Sequence, residues 1–532
     1  MRLIAERMPS DREFSNTMNI NNLSRRQFGG VMIAAGAAAS QREGTGQNRR
    51  PNILFICSDE HAGMYMGCQD HPLVHTPHMD RLAARGTLFR NAYSNAPVCV
   101  PGRAALMTGR FASDVDSYSN STCFAGTAPT WGNLLRDAGY HCWATGKLDL
   151  TVGKDYGFQE VDTDHGHSIN PDITSLFRAP VSYRVDLRKQ IDGKFTERVH
   201  HDDARVKRML EFLRTEAGKL DRPWIAYAGL TLPHPPFIGH SRYAEMYRPE
   251  KMTLPNIPPD YLENLLIPFQ VLRDFLRVST PIPNARILRA RAAYLAMVTE
   301  LDDYVGQLTG ELERQGLARN TVVVYTTDHG EMLGEHGLWM KFNLLENSAR
   351  IPMIIAGGGF PKGKVVDTPV SAVDLTPTLL EIAGAPRNDK LRGHSLVGLA
   401  NGSATGHPGY AFSESHSEGN CTGSYMIRKG DWKYIHFVWY GNLLFNLRED
   451  PGEFRNLAGN PQYREIEQQV HGILTGLLDP AAVNRRAFDR HNAVLQRMIV
   501  DNSPRQFYNL LEKRLGAGQA RSMTYLHYKK DV

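Results

Sequence analysis

The sequence has few cysteines for its length and no long apolar run. Its 532 residues include six cysteines, none in a CxxC pair, so neither a zinc site nor a disulfide framework organises the fold. No segment reaches 18 unbroken apolar residues, and we therefore expect no permanent membrane anchor. Internal repeats are also absent, which excludes solenoid architectures.

A strong charge of one sign is missing from the body of the chain. The formal net charge is +5, and residues 1–50 carry four of these charges. The remainder is nearly neutral, which argues against a nucleic-acid partner. The composition, 42% apolar and 22% charged, is that of an ordinary globular protein. The length predicts one large domain with a smaller one.

The N-terminal segment has the features of an export signal. Residues 24–28, "SRRQF", precede a run rich in Gly and Ala that ends at Ala37, Ala38 and Ala39. This pattern is typical of twin-arginine signals. It predicts a signal over 1–39, a polar linker over 40–51, and passage through the Tat translocase to the periplasm or exterior of a bacterial cell. Either Met1 or Met18 serves as the start, since Met18 would give a signal of ordinary length.

Short apolar runs alternate with helical patterns along the chain, which predicts an α/β fold with a mostly parallel central sheet covered by helices on both faces. Helical patterns occupy 130–139 and 292–316. The apolar runs are "NILFICSDE" (52–60), "GYHCWATGKLDL" (139–150), "WIAYAGLTLPHPPF" (224–237), "TVVVYTTDHGE" (321–331) and "IPMIIAGGG" (351–359).

A change in composition near residue 400 predicts a domain boundary. We expect a catalytic domain over 52–400, in which 252–290, with six prolines, forms an irregular insertion. We expect a smaller C-terminal α+β domain over 408–532, with an antiparallel sheet and a helical tail. Within it, residues 424–437 predict two strands joined by a turn.

Polar residues follow the predicted strands where each one ends. In open α/β sheets ligands bind beyond the carboxyl ends of the strands, so these groups are expected to share one cleft. Carboxylates with an imidazole suit a divalent cation such as Ca²⁺ or Mg²⁺, although an Asp after a strand is often only a helix cap. The residues are Asp59, Glu60, Lys147, Asp149, His234, Asp328 and His329.

The segment "APVCVPGRAALMTGR" (96–110) places a cysteine at a predicted helix start. Pro101 suits the first helical position, so Cys99 lies just before the helix, where free N–H groups favour negative charge. Cys99 is thus either an activated thiolate or a buried structural cysteine. The Cys-x5-Arg loop of cysteine phosphatases is missing, because Arg103 follows Cys99 by four residues.

Residues 99–103, Cys-Val-Pro-Gly-Arg, resemble the signature of the formylglycine-dependent sulfatases, with Gly102 where that family usually has Ser. The resemblance continues in the expected order through most of 51–460. It implies an alkaline-phosphatase-like fold and hydrolysis of a sulfate ester. It also implies that a formylglycine-generating enzyme oxidises Cys99 to formylglycine, whose hydrate attacks sulfur.

The resemblance also implies roles for the other candidate residues. One Ca²⁺ would be bound by the modified Cys99 and by four further ligands. Arg103 would hold the hydrate, Lys147 and Lys341 would contact the sulfate, and His234 would protonate the leaving alcohol. Asp149 stands where most sulfatases have His, and it would orient the hydrate or act as a base. The four further ligands are Asp59, Glu60, Asp328 and His329.

Two branches of the family resemble this chain. Gly146-Lys147-Leu148-Asp149 is similar to the arylsulfatase K branch, which implies a small sulfated sugar, a 2-O-sulfated hexuronate, as substrate. "LGEHGLWMK" (333–341) equally resembles the choline-sulfatase branch. Arylsulfatase activity, hydrolysis of phosphonate or phosphate esters, and a non-catalytic protein that binds sulfated glycans are the alternatives.

Overall fold

The computed structural model describes residues 50–162, 172–178 and 181–528, so the predicted signal and nearly all of the predicted linker lie outside the described residues. The strands are β1 Asn52–Asp59, β2 Gly86–Phe89, β3 Ala92–Tyr93, β4 His141–Gly146, β5 Glu160–Asp162, β6 Lys194–Thr196, β7 Trp224–Pro233, β8 Ile238–His240, β9 Thr321–Thr327, β10 Arg350–Ile351, β11 Met353–Ala356, β12 Lys364–Val366, β13 Val370–Ser371, β14 Tyr410–Ser415, β15 Ser424–Lys429, β16 Trp432–Phe437 and β17 Gly441–Asn446. The helices are α1 Pro77–Ala84, α2 Cys99–Thr108, α3 Trp131–Asp137, α4 His201–Thr215, α5 Ile267–Phe275, α6 Asn284–Arg314, α7 Glu346–Ala349, α8 Leu375–Ile382, α9 Val397–Ala400, α10 Arg464–Leu477, α11 Pro480–Asp501, α12 Pro504–Leu515 and α13 Ala517–Tyr528.

An eight-stranded sheet in the order β12-β2-β11-β9-β1-β7-β4-β5 forms the centre of the fold. Strands β9, β1, β7, β4 and β5 are parallel, which confirms the mostly parallel sheet. The run at 351–359 differs, because β11 is antiparallel to β9. The one α-helix in the connection from β9 to β11 is the four-residue α7. A parallel pair of strands requires a connection that crosses to the opposite edge of the sheet. This connection instead returns at the edge where β9 ends, so β11 runs antiparallel to β9.

Successive residues of β1 pack on opposite faces of the sheet, as the two-residue period of a strand dictates. Leu54 and Ile56 join a core with α1, α4 and α6. Ile53 and Phe55 join a second core with α2, α3 and α8. A strand buried on both faces is apolar on both faces. This explains the continuous apolar run of β1 from Ile53 to Cys57.

The segment 252–290 is more ordered than its prolines predict. It contains α5 and the first residues of α6. Phe269, Leu272 and Phe275 of α5 are buried in the first core. Pro268 lies in the first turn of α5, where its missing N–H has no helical partner to lose, so it starts the helix instead of breaking it.

The C-terminal part of the chain forms a four-stranded antiparallel sheet, β14-β15-β16-β17. Strands β15 and β16 are the two predicted from 424–437, and Gly430 in their turn has a φ of 54°. Helices α11, α12 and α13 then pack on Ile173, Leu176 and Phe177. Each helix in the described parts of the chain is too short or too polar to cross a membrane.

Candidate active site

The register of the central sheet brings the predicted polar residues to one edge. Ser58 of β1 pairs with Thr327 of β9, so Asp59 and Asp328 follow side by side. Pro233 of β7 lies opposite Asp59, and His234 comes next. Gly146 ends β4 opposite Gly229 of β7, so Lys147 and Asp149 join the same edge. The strand ends therefore meet at one edge of the sheet, where Asp59, Lys147, Asp149 and His234 line a common cavity.

Cys99, the first residue of α2, lies against this edge. The helix begins two residues earlier than Pro101 predicts, but Cys99 is at its N-terminus as expected. The Cys99 Sγ is 3.2 Å from His329 Nε2 and 3.8 Å from Asp59 Oδ1. Burial, followed by the charge of Asp59, raises the pKa of the Cys99 thiol. The burial of Cys99 and the neighbouring carboxylate therefore favour the neutral thiol over an activated thiolate.

Asp59, Cys99, Asp328 and His329 form a buried cluster whose ligand atoms all lie within 4.8 Å of one another. The His329 Nδ1 donates to the Gly330 carbonyl at 3.1 Å. A carbonyl only accepts, so the proton is on Nδ1 and the Nε2 lone pair faces the cluster. Two carboxylates with an imidazole oriented in this way fit a divalent cation.

Arg103 is completely buried and links the strand ends. Its Nε donates to Asp328 Oδ2 at 2.8 Å, its Nη1 to Lys147 O and Tyr227 Oη at 2.9 Å each, and its Nη2 to Ser58 O at 2.9 Å. Burial opposes its charge, but Asp328 and other neighbours raise the pKa of Arg103 overall. Arg103 thus fixes the carboxylate of Asp328 toward the cluster.

Lys147 and Asp149 form a second buried ion pair beside the cluster. The Lys147 Nζ contacts Asp59 Oδ2 and lies 3.1 Å from Asp149 Oδ2. Burial opposes the charge of Lys147, but Asp149 and Asp59 together raise its pKa well above the usual value. Asp149 also lies 3.7 Å from Arg103, so one carboxylate sits between two cations.

Lys341 connects Glu60 and His234. Its Nζ donates to Glu60 Oε2 at 2.6 Å and to His234 Nε2 at 2.9 Å. The His234 Nδ1 donates to the Pro235 carbonyl at 2.6 Å. Burial, and then the charge of Lys341, holds the pKa of His234 well below its usual value. His234 is therefore a neutral imidazole with its Nε2 lone pair on Lys341.

Glu60 stands apart from the four-residue cluster. It belongs instead to a group with Asp59 and His234. Burial raises its pKa well above the usual value, and the neighbouring Glu331 adds to this effect. Its assignment as a metal ligand stays a prediction.

The site opens into a cavity of about 320 Å³. Among the residues that line it, we call the group made of Asp59, Cys99, Lys147, Asp149, His234 and Lys341 the sheet wall. We call the lining residues that come from other segments, Asp172, Arg184, Leu187, Gln190, Glu418 and Arg514, the second wall.

The sequence profile of the family described as Sulfatase matches residues 51–385, more than half of the chain, and includes the whole sheet wall. The chain belongs to the sulfatase family. It is a sulfuric ester hydrolase. A second profile, described as the C-terminal part of N-sulphoglucosamine sulphohydrolase, matches residues 334–479 of this sulfatase.

Known proteins similar to this sulfatase include members of both branches that the sequence resembles. Arylsulfatase K of Danio rerio is 32% identical, over 82% of this chain and 85% of that protein. The choline-sulfatase of Rhizobium meliloti is 31% identical, over 78% of this chain and 83% of that protein. A solved structure described as a 2-O GAG sulfatase superposes with a TM-score of 0.65 and 25% identity, covering 82% of this chain and 96% of the other.

The structure explains the glycine in the sulfatase signature. A Cβ at Gly102 would lie 2.7 Å from Ala96 O and 3.1 Å from Asp328 O. This backbone leaves no room for the usual serine, so the departure from the family pattern is a packing requirement.

Sequence reasoning missed two groups of residues. Tyr227, the partner of Arg103, lies inside a buried strand. Its position in an apolar run gives no indication that its hydroxyl accepts a hydrogen bond from Arg103. The second wall was missed entirely, because its residues come from distant segments with no common motif. Glu331, which raises the pKa of Glu60, was missed as well, although an acid directly after the "TTDHG" strand end is a signal of the same kind as Asp59 and Glu60.

Proposed function

We propose that this sulfatase hydrolyses the sulfate ester of a carbohydrate, with a 2-O-sulfated hexuronate as the preferred substrate. The observation that carries the proposal is one cavity in which Cys99, two buried lysines and a cluster of metal-ligand type face a polar second wall. The similarity to a 2-O GAG sulfatase and the Gly-Lys-Leu-Asp segment at 146–149 support the choice of sugar.

Cys99 would act after conversion to formylglycine, and not as a thiolate. Its raised pKa leaves the thiol protonated and therefore poorly nucleophilic. The hydrated aldehyde would supply a hydroxyl oxygen as the nucleophile toward sulfur.

Asp59, Asp328 and His329 would hold Ca²⁺ beside that group. The fit rests on the converging oxygens and on the orientation of His329 by the Gly330 carbonyl. The bound ion supplies positive charge that stabilises the sulfate oxygens. Arg103 keeps the Asp328 carboxylate in place.

Lys147, Lys341 and His234 would handle the sulfate and the leaving group. Asp149 and Asp59 fix the ammonium of Lys147, and Glu60 fixes that of Lys341, so both charges are preorganised. His234 accepts from Lys341 in the free enzyme. A sulfate anion beside the ring favours protonation at Nε2, from which the imidazole donates a proton to the leaving alcohol.

Choline sulfate is the second candidate, because a choline-sulfatase is 31% identical. A quaternary ammonium is best bound by several aromatic rings. Among the described residues that line the cavity, Phe342 is the only Phe, Tyr or Trp. The scarcity of aromatic rings among these residues therefore supports the sugar over choline.

Two measurements test the proposal. Mass spectrometry of the tryptic peptide 91–103 from enzyme made in its own host should show an aldehyde at position 99, with Cys99→Ala as the inactive control. Fully active enzyme carrying only an intact thiol would overturn the mechanism. A comparison of kcat/KM on a 2-O-sulfated hexuronate, choline sulfate, an aryl sulfate and a phosphonate monoester should rank the hexuronate first.

A further inference from the structure

The cavity is larger than sulfate recognition requires. A sulfate group has five non-hydrogen atoms, whereas about 320 Å³ lies in the range of pockets for whole small molecules. The residues of the sheet wall are sufficient to bind the sulfate group. The residues of the second wall are therefore available to contact the rest of the substrate.

Arg514 is the member of this wall that comes from farthest along the chain. It lies in α12, and both family profiles end before this helix begins. Its position is nevertheless fixed. Phe507, Leu511 and Leu515 of α12 are buried, and the Val185 N–H donates to the Arg514 carbonyl at 2.9 Å.

The two arginines of the second wall differ in how fully they are paired. Arg184 donates to both oxygens of Asp186, at 2.8 and 2.7 Å, and to Asp172 at 2.7 Å. Its side chain is 8% exposed. Arg514 contacts Asp172 through Nη1, and its side chain is 39% exposed. In the described parts of the chain this is the one carboxylate that Arg514 contacts.

Glu418, the other acid on this wall, does not compete for Arg514. Its carboxylate accepts from the Asn120 N–H at 2.9 Å and from the Ser417 hydroxyl. The partners of Glu418 are therefore local. Within residues 50–162, 172–178 and 181–528, the guanidinium of Arg514 keeps N–H donors for a further anion.

We propose that Arg514 binds a second anionic group on the substrate, a carboxylate or another sulfate, and so selects substrates that carry two negative charges. This inference rests on the proposed function, because it assumes that the sulfate ester occupies the sheet wall. A planar guanidinium suits either anion, since it can donate two parallel hydrogen bonds.

The test compares Arg514→Gln and Arg514→Lys with Lys513→Ala, an exposed neighbour on the same helix that does not line the cavity. Three substrates are used: a 2-O-sulfated hexuronate, its methyl ester, and a disulfated sugar without a carboxylate. 4-Nitrophenyl sulfate serves as the reference with a single charge.

We expect Arg514→Gln to lower kcat/KM about ten- to a hundredfold on the substrate with the correct second anion. We expect less than a twofold change on 4-nitrophenyl sulfate, and partial rescue by Arg514→Lys. The substrate that loses most identifies the anion.

Equal loss on all substrates, or no loss on any, would overturn the inference. A binding measurement separates it from the proposed function. In the Cys99→Ala background, which does not turn over, calorimetry should show that Arg514→Gln weakens binding of the doubly charged substrate by the same factor. Absence of hydrolysis by the wild type would count against the proposed function, whereas equal affinity for singly and doubly charged ligands would count against the role of Arg514.

Discussion

The two walls of the cavity are built in different ways. Most of the sheet wall follows directly from parallel strands, whose hydrogen-bond register fixes where each side chain begins. The second wall is assembled from Asp172, from residues 184–190, from the loop at Glu418 and from helix α12. Because loops vary more readily than a sheet, we expect the chemistry to depend on the sheet wall and the choice of substrate to depend on the second wall.

This comparison has a kinetic consequence. Substitutions on the sheet wall should reduce hydrolysis of every substrate, whereas substitutions on the second wall should reduce it selectively. Arg514 tests the prediction for the second wall. His234 tests the prediction for the sheet wall, together with Asp328, which shares the ligand cluster with Asp59 and Cys99.

Asp328→Asn should have the largest effect. The change removes one of two carboxylates in the ligand cluster and takes away the negative charge that faces the buried Arg103 at 2.8 Å. Because a catalytic cation supplies several kcal/mol of charge stabilisation, we expect kcat to fall by more than about a thousandfold on all substrates. Plasma mass spectrometry of the purified protein should show that bound Ca²⁺ is lost.

The matched control is Asp303→Asn, in the separate group formed by His78, Asp302 and Asp303. Its Oδ2 accepts from the Tyr243 hydroxyl, and none of the three residues of this group lines the cavity. The control should retain metal and activity. Wild-type metal content in Asp328→Asn would disprove the cluster as the cation site, and thermal unfolding shows whether that variant folds.

His234→Gln should have a smaller effect that depends on the leaving group. An alkoxide needs a proton as it departs, whereas an acidic phenol leaves without one. General acid catalysis contributes about a hundredfold or more. We therefore expect about a hundredfold loss on a sugar sulfate and less than tenfold on 4-nitrophenyl sulfate, measured as kcat. Equal losses would show that His234 binds sulfate and does not donate a proton.

Strand ends and motifs were readable from the sequence, but long-range assembly was not. Alternating apolar runs and helices predict the parallel sheet, and polar residues after them predict the shared cleft that contains Asp59 and His234. The reversal of β11 is not encoded in its own residues, because strand direction depends on the path of the preceding loop. The position of Arg514 could not be predicted from the sequence either, because its contact with Asp172 depends on how α12 packs.

The smallest predicted effect is on stability and concerns Glu418 of the second wall. Burial raises the pKa of this carboxyl from 4.5 to about 7 in the folded protein. Between these values the folded state binds more protons than the unfolded state, so the contribution of Glu418 to stability falls as pH rises from 4.5 to 7 and is constant above pH 7.

Glu418→Gln keeps an oxygen for the Asn120 N–H but removes the titration. At pH 8 it should raise the free energy of unfolding by on the order of 1 kcal/mol, and at pH 4.5 it should have little effect. Urea unfolding at both pH values measures this difference, with the exposed Glu263→Gln as control. A gain that is the same at both pH values would contradict the prediction, because it would show that packing and not the buried charge limits stability at this wall.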